Sequence, residues 1–216
     1  MKKDVVDMIK QEKLIAIVRG VSPELCMDVA QALYAGGFRL MEITFDQKKP
    51  DSWEATANAI RAVGNEYAGR MEIGAGTVVS EKLVELAADA GAKYIISPDT
   101  NVDVIKRTIK RGLVSIPGAL TPTEIMTAYS AGADFVKLFP LADLGPAYVK
   151  AVRAPISHVP MMAVGGIHEK NLKMYLDLGL SGAGIGGNLV NSQWIKAKEF
   201  YKITEAAKVL TDIVKN

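Results

Sequence analysis

A lysine set in an apolar run is the residue best placed to do covalent chemistry in this chain. Lys137 stands in Phe135-Val136-Lys137-Leu138-Phe139, while most of the chain's 19 lysines fall on helical faces or in loops. Burial disfavours an ammonium and lowers its pKa toward neutrality. A neutral amine near pH 7 is what Schiff-base formation with a carbonyl requires. The same lysine could instead snorkel from a strand end or pair with a core carboxylate. Glu42, in Leu40-Met41-Glu42-Ile43-Thr44, is its natural counterpart, because a lone carboxylate in an apolar strand is costly. It reads either as a general acid–base or as half of a structural ion pair with Lys137 or Arg19. Both readings need the same contact, so the residues alone leave them open. Two glycine pairs, Gly165-Gly166 and Gly186-Gly187, add either a backbone cradle for an anion or tight turns that need positive φ.

These residues need a scaffold that brings distant segments to one place. Short β-branched runs alternate along the chain with longer helical patterns. The spacing predicts strands over Ile15–Val18, Arg39–Phe45, Met71–Gly74, Lys93–Ser97, Leu113–Ile116, Phe135–Leu138, Met161–Val164 and Gly182–Ile185. Helical patterns run through Pro23–Ala35, Trp53–Val63, Glu81–Ala90, Val102–Arg111 and Pro122–Ser130. Ser22-Pro23 and Thr121-Pro122 read as caps before a first-turn proline, and Gly36, Gly91, Gly112, Gly132 and Gly179 as helix stops. Eight strand–helix units in 216 residues leave 27 residues for each, near the minimum, and no room for a second domain. The expected fold is α/β: a (β/α)8 TIM barrel, with residues 1–216 as one catalytic domain. The open doubly wound sheet is disfavoured, because Arg19-Gly20-Val21-Ser22 stands where a Gly-x-Gly-x-x-Gly turn would follow the first strand.

In such a barrel the chemistry sits at the C-terminal strand ends. Alternation then makes a specific demand. If Lys137 points inward, Phe135 and Phe139 do too, and if Glu42 points inward, Leu40 and Thr44 join it. Val136 and Leu138 on the one strand, and Met41, Ile43 and Phe45 on the other, would then face the helices.

Composition narrows the function classes. The apolar fraction is 49%, and the charges nearly balance at +2 with basic residues scattered, which predicts no nucleic-acid partner. No apolar run approaches the ~18 residues a membrane span needs. The basic start at Met1-Lys2-Lys3 is followed by Asp4, Asp7, Lys10 and Glu12, which interrupt any signal-peptide core. One cysteine, Cys26, excludes an internal disulfide, so a cytoplasmic protein is expected. His158 and His168 are too few for a zinc site and read as loop residues. Trp53, Trp194 and Met161-Met162 read as packing, and Lys196–Lys208 as the solvated face of the last helix.

Seven short blocks occur in order: Glu42-Ile43-Thr44, Gly74-Ala75-Gly76-Thr77-Val78, Ile96-Ser97-Pro98, Pro117-Gly118, Thr121-Pro122-Thr123-Glu124, Lys137-Leu138-Phe139-Pro140 and Gly165-Gly166-Ile167. Together they resemble the 2-keto-3-deoxy-6-phosphogluconate (KDPG) aldolase / 4-hydroxy-2-oxoglutarate (KHG) aldolase family, from about Ile9 to the last helix. The resemblance implies a class I pyruvate aldolase, a homotrimer of TIM barrels that uses no metal or cofactor. It implies that Lys137 is the Schiff-base lysine and Glu42 the general acid–base. It places Thr77 against the pyruvyl group, Arg19 against the substrate carboxylate, Phe139 along the site, and Gly165, Gly166, Gly186 and Gly187 around a distal phosphate. The implied reaction is retro-aldol cleavage of 2-keto-3-deoxy-6-phosphogluconate, or its galactonate epimer, to pyruvate and glyceraldehyde 3-phosphate.

The chain departs from the family pattern at three positions. Asp46 stands where some members carry an arginine four residues after the glutamate. Val164 replaces a common threonine, and Gly187 a common serine, so two hydroxyl donors are lost. A phosphate there would rest on backbone amides, with Asn188 as a side-chain donor. The nearest alternative keeps the chemistry with 4-hydroxy-2-oxoglutarate as substrate, giving pyruvate and glyoxylate. More distant ones are a phosphate-binding isomerase or synthase that uses Lys137 only as a charge, and a non-catalytic barrel.

Overall fold

The computed structural model describes residues 2–215. Nine strands lie in one parallel sheet: β1 (Leu14–Val18), β2 (Leu40–Thr44), β3 (Glu72–Gly76), β4 (Tyr94–Ile96), β5 (Val114–Ile116), β6 (Gly118–Ala119), β7 (Val136–Leu138), β8 (Met161–Val164) and β9 (Gly182–Ile185). Ten α-helices accompany them: α1 (Lys2–Glu12), α2 (Cys26–Ala35), α3 (Trp53–Glu66), α4 (Glu81–Asp89), α5 (Val102–Lys110), α6 (Pro122–Ser130), α7 (Gly145–Arg153), α8 (Leu172–Asp177), α9 (Ser192–Lys196) and α10 (Phe200–Lys215). The strand order β5-β4-β3-β2-β1-β9-β8-β7-β6 is that of the expected barrel. Its fifth strand is broken at Pro117 into β5 and β6, because proline brings no N–H to the ladder. The barrel still closes there: the amides of Phe135 and Lys137 donate to the carbonyls of Ser115 and Pro117 at 3.3 and 2.8 Å.

Side chains alternate as the sequence demanded. Outward residues such as Met41, Ile43, Val136 and Leu138 pack in one continuous core with the helices. Inward residues Ile15, Leu40, Tyr94, Ile96, Val114, Ile116, Phe135 and Met162 form a second, inner cluster. Glycines on β3 make room inside it: a Cβ at Gly74 would lie 2.1 Å from the Tyr94 ring.

Helix α1 was not among the expected elements. Its Val5 and Ile9 join the inner cluster and plug the N-terminal mouth, burial worth about 1.5–3 kcal/mol for each large side chain. Lys2 Nζ anchors the helix to Asp134 at 3.0 Å.

Several local expectations needed revision. Ser22 precedes a 3-10 turn (Pro23–Leu25) and makes no side-chain cap, so the helix begins only at Cys26. Thr121, by contrast, forms a full capping box with Glu124 at the head of α6. Gly36 ends α2 with φ −83, and the left-handed residue is Gly37, at φ 96. The lysine-rich stretch 196–208 spans the end of α9 and the start of α10, with left-handed Lys198 (φ 56) between them. Among the described residues, no helix is long and apolar enough to cross a membrane.

Candidate active site

The C-terminal rim of the barrel collects the chemistry-bearing residues on neighbouring strands. Glu42 and Lys137 both point inward, at 1% and 4% exposure. Strand β2 can bury a carboxylate here because β3 offers only a glycine opposite: a Cβ at Gly76 would lie 2.8 Å from both Cδ and Oε1 of Glu42. Thr44, one rung toward the rim, touches the same glycine. Lys137 is hemmed in by Ile15, Ile17, Ile96, Ile116, Met162, Val164 and Gly184, an apolar wall. Its Nζ lies 4.5 Å from the Phe139 ring centroid.

Burial sets the protonation states of this pair. It pushes the Glu42 carboxyl up to about 7, against the pull of the Lys137 and Arg19 cations. It pushes the Lys137 ammonium down, with Glu42 opposing and Arg19 reinforcing the shift. Both groups therefore exchange protons more readily near neutrality than their ordinary values allow. Glu42 Oε2 is buried and has no hydrogen-bond partner in the chain. A finished structural ion pair would satisfy that atom. The orphan is what a site open to a substrate or water presents.

Arg19 is exposed at the rim and reaches the pair through its charge. With Thr44 and Thr77 it lines a cleft of ≈ 590 Å³ between the loops after β1, β2 and β3. Thr77 has φ 58, a rare conformation for a β-branched residue, and its Oγ1 is buried without a partner. A larger groove of ≈ 750 Å³ runs between α5 and α6, away from the strand ends, and Lys106 is its one charged lining residue.

The two glycine pairs turn out to differ. Gly165 and Gly166 have φ 95 and 72, so their backbone demands glycine. They also pack against the loop after β7, where a Cβ on Gly166 would lie 2.3 Å from Ala142 Cβ. Gly186 and Gly187 are not left-handed, and a Cβ on Gly187 meets nothing within 4 Å. Small size there leaves open space instead of relieving strain. Among the described residues, the amides of Gly187 and Asn188 make no hydrogen bond, since the turn begins with Leu189 and Val190 donating to Gly186. Unengaged backbone amides in a turn can donate to an anion. The expectation for the Asn188 side chain changes: its Nδ2 donates to the Ile167 carbonyl at 3.0 Å and ties the two turns together.

Other motif residues are structural. Ser97 Oγ donates to the Val78 carbonyl at 2.6 Å, and Thr100 Oγ1 to the Gly118 carbonyl at 2.7 Å. Gly118 is held by space, since a Cβ would lie 2.4 Å from the Pro98 oxygen. Tyr94 and Gln47 escaped the sequence reading, and Gly76 entered it only as part of a motif. Gly76 and Tyr94 shape the floor beneath Glu42, and Gln47 reaches from the β2 loop to the Thr77 carbonyl at 2.9 Å. Glycines at alternate positions of β3 were the available signal for the first two.

The sequence profile of the KDPG and KHG aldolase family matches residues 5–206. The chain belongs to that family. Membership makes it a carbon–carbon lyase of the aldolase type. It is 37% identical over 177 residues to 2-dehydro-3-deoxy-6-phosphogalactonate aldolase of Escherichia coli K12, covering 82% of this chain and 83% of that protein. A solved structure of native KDPGal superposes with TM-score 0.83 at 33% identity, covering 94% of both chains. KDPG aldolase of Legionella pneumophila, solved with pyruvate captured as a covalent carbinolamine, superposes with TM-score 0.84 at 26% identity, covering 94% of this chain and 96% of that one.

Proposed function

We propose that residues 1–216 form one catalytic domain that cleaves a 2-keto-3-deoxy-6-phospho sugar acid to pyruvate and glyceraldehyde 3-phosphate through a lysine Schiff base. The substrate is 2-keto-3-deoxy-6-phosphogluconate or its galactonate epimer, and the Escherichia coli relative's name favours the epimer. The observation that carries the reading is the inward pair of Lys137 and Glu42, both buried, with Glu42 Oε2 unpartnered.

In this mechanism the neutral Lys137 amine attacks the C2 carbonyl. The carbinolamine loses water to an iminium, which draws electrons from the C3–C4 bond. Glu42, through a water, takes the C4 hydroxyl proton as that bond breaks, and the aldehyde departs. Glu42 then returns the proton to C3 of the enamine, and hydrolysis frees pyruvate and Lys137. A carboxyl with a pKa of about 7 suits both steps, because it can accept and return a proton at neutral pH. Arg19 and the Thr77 hydroxyl hold the carboxylate, the guanidinium by charge-assisted hydrogen bonds, and Phe139 walls the iminium. Gly165, Gly166, Gly186 and Gly187 cradle the distal phosphate with backbone amides.

The enzyme works as a homotrimer in the cytoplasm. The family resemblance supports the trimer, and similarity to a cage designed from symmetric oligomeric domains, at 32% identity and TM-score 0.83, is consistent with an oligomer of unspecified order. The lone, buried Cys26 suits a reducing compartment.

A panel of 2-keto acids, with pyruvate release coupled to lactate dehydrogenase, tests the substrate. The highest kcat/KM is expected for one of the two phosphorylated 2-keto-3-deoxy acids. Turnover of 4-hydroxy-2-oxoglutarate alone would overturn the assignment and keep the chemistry. No pyruvate from any of them would overturn both.

A further inference from the structure

Thr77 is a strained residue at a place where strain must be held. A β-branched side chain at φ 58 persists only if neighbours fix it. Its hydroxyl is buried in the rim cleft with no partner inside the chain. Two consecutive carbonyls, those of Gly76 and Thr77, are held from the β2 side. The Phe45 amide donates to the Gly76 oxygen at 2.9 Å, and Gln47 Nε2 donates to the Thr77 oxygen at 2.9 Å. The next residue is held from the other side: the Val78 amide donates to the Ile96 oxygen at 3.2 Å, and Ser97 Oγ donates to the Val78 oxygen. The peptide before Thr77, which sets its φ, is thus held through the Gly76 oxygen, and the peptide after it, which sets its ψ, is held at both ends, its N–H by Ile96 and its oxygen by Gln47.

The loop that carries Gln47 is itself fixed. Asp46 Oδ1 accepts the Lys48 amide at 2.9 Å, and the Asp46 carbonyl accepts Trp53 Nε1 at 2.9 Å. Asp46 therefore shapes the loop in which Gln47 reaches across to β3. Gln47 is exposed and 30 residues from Thr77 in sequence. An exposed amide on an ordered loop has water as a ready partner, so a bond to this one strained carbonyl is a choice the geometry makes.

We infer that Gln47 is a positioning residue that locks Thr77 in its left-handed conformation, so that the Thr77 hydroxyl faces the carboxylate of the bound 2-keto acid. This rests on the Schiff-base reading given above. Gln47 touches no substrate atom and acts only through Thr77.

The test is pyruvate-dependent borohydride trapping, followed as a function of pyruvate concentration, in wild type, Gln47→Met, Thr77→Ala and the double variant. Methionine keeps the length of glutamine and removes the donor. Losing one hydrogen bond's worth of positioning predicts a rise of about 3- to 10-fold in half-saturating pyruvate for Gln47→Met. The maximal trapping rate should stay within about twofold. In the Thr77→Ala background the same substitution should change half-saturation by less than about twofold, because the hydroxyl it positions is gone. Equal effects of Gln47→Met with and without Thr77 would show that Gln47 acts on its own account and overturn the inference. So would unchanged half-saturation in the single variant. Absence of any adduct in wild type would overturn the Schiff-base reading instead.

Discussion

The two ends of this barrel are built by opposite rules. At the N-terminal end, Val5 and Ile9 of α1 fill the mouth and extend the inner apolar cluster. One carboxylate there is fully engaged: Asp134 accepts both Lys2 and the Ser115 amide, at 3.0 and 2.8 Å. At the C-terminal end, polar groups are buried without finished partners, as at Glu42 Oε2 and Thr77 Oγ1, and Thr77 is strained. The sealed end stabilises the fold, and the open end keeps polar atoms for which the proposed substrate would be the partner. The contrast predicts that substitutions at the two ends separate stability from turnover.

The largest effect should come at the open end. Lys137→Met removes the proposed nucleophile and keeps the volume, so turnover should fall to background. Melting temperature should hold within a few degrees, because an apolar side chain suits that wall and Glu42 can protonate. Residual cleavage at a substantial fraction of wild type, measured by coupled pyruvate release, would remove lysine from the chemistry.

Glu42→Gln comes next, with turnover lower by about 10²–10⁴. The pH profile sharpens it. As a base Glu42 must be ionised, so wild-type kcat/KM should fall as pH drops through about 7, the value to which burial raises its carboxyl in the free protein. Glu42→Gln should lose that contribution to the acid limb. Near-normal turnover in the variant would return Glu42 to an ion-pair role.

At the sealed end the expectation reverses. Ile9→Ala should cost about 2–5 kcal/mol of stability, read from denaturant unfolding, with kcat at 25 °C within about twofold. A loss of kcat without loss of stability would break the division between the ends.

The smallest effect concerns the distal turn. Gly187→Ser has open space and an unstrained backbone. It should raise the kcat/KM ratio of phosphorylated over unphosphorylated 2-keto-3-deoxy acid by up to about tenfold. A strong wild-type preference that serine does not improve would mean that backbone amides suffice.

Legibility in the sequence followed the same division. Period-2 alternation placed Lys137 and Glu42 inside the barrel, because the apolar residues flanking each must face the helix layer and leave the charged side chain only the interior. Helix α1 was missed because only Val5 and Ile9 of its eleven residues are buried, and charged side chains dominate the rest. The split at Pro117 could not be foreseen as a second strand, since β6 is two residues long and owes its existence to β7. Gln47 left no local trace because it acts on a backbone carbonyl 30 residues away. The glycine pairs looked alike in sequence, and only backbone angles separate the strained pair from the spacious one.

The central claim is that Lys137 forms a covalent adduct with pyruvate, and borohydride reduction followed by peptide mass analysis tests it most directly. The account predicts one modified peptide, carrying a reduced pyruvyl group on Lys137, and no such mass in Lys137→Met. A modified peptide elsewhere in the chain, or no modification at saturating pyruvate, would contradict it.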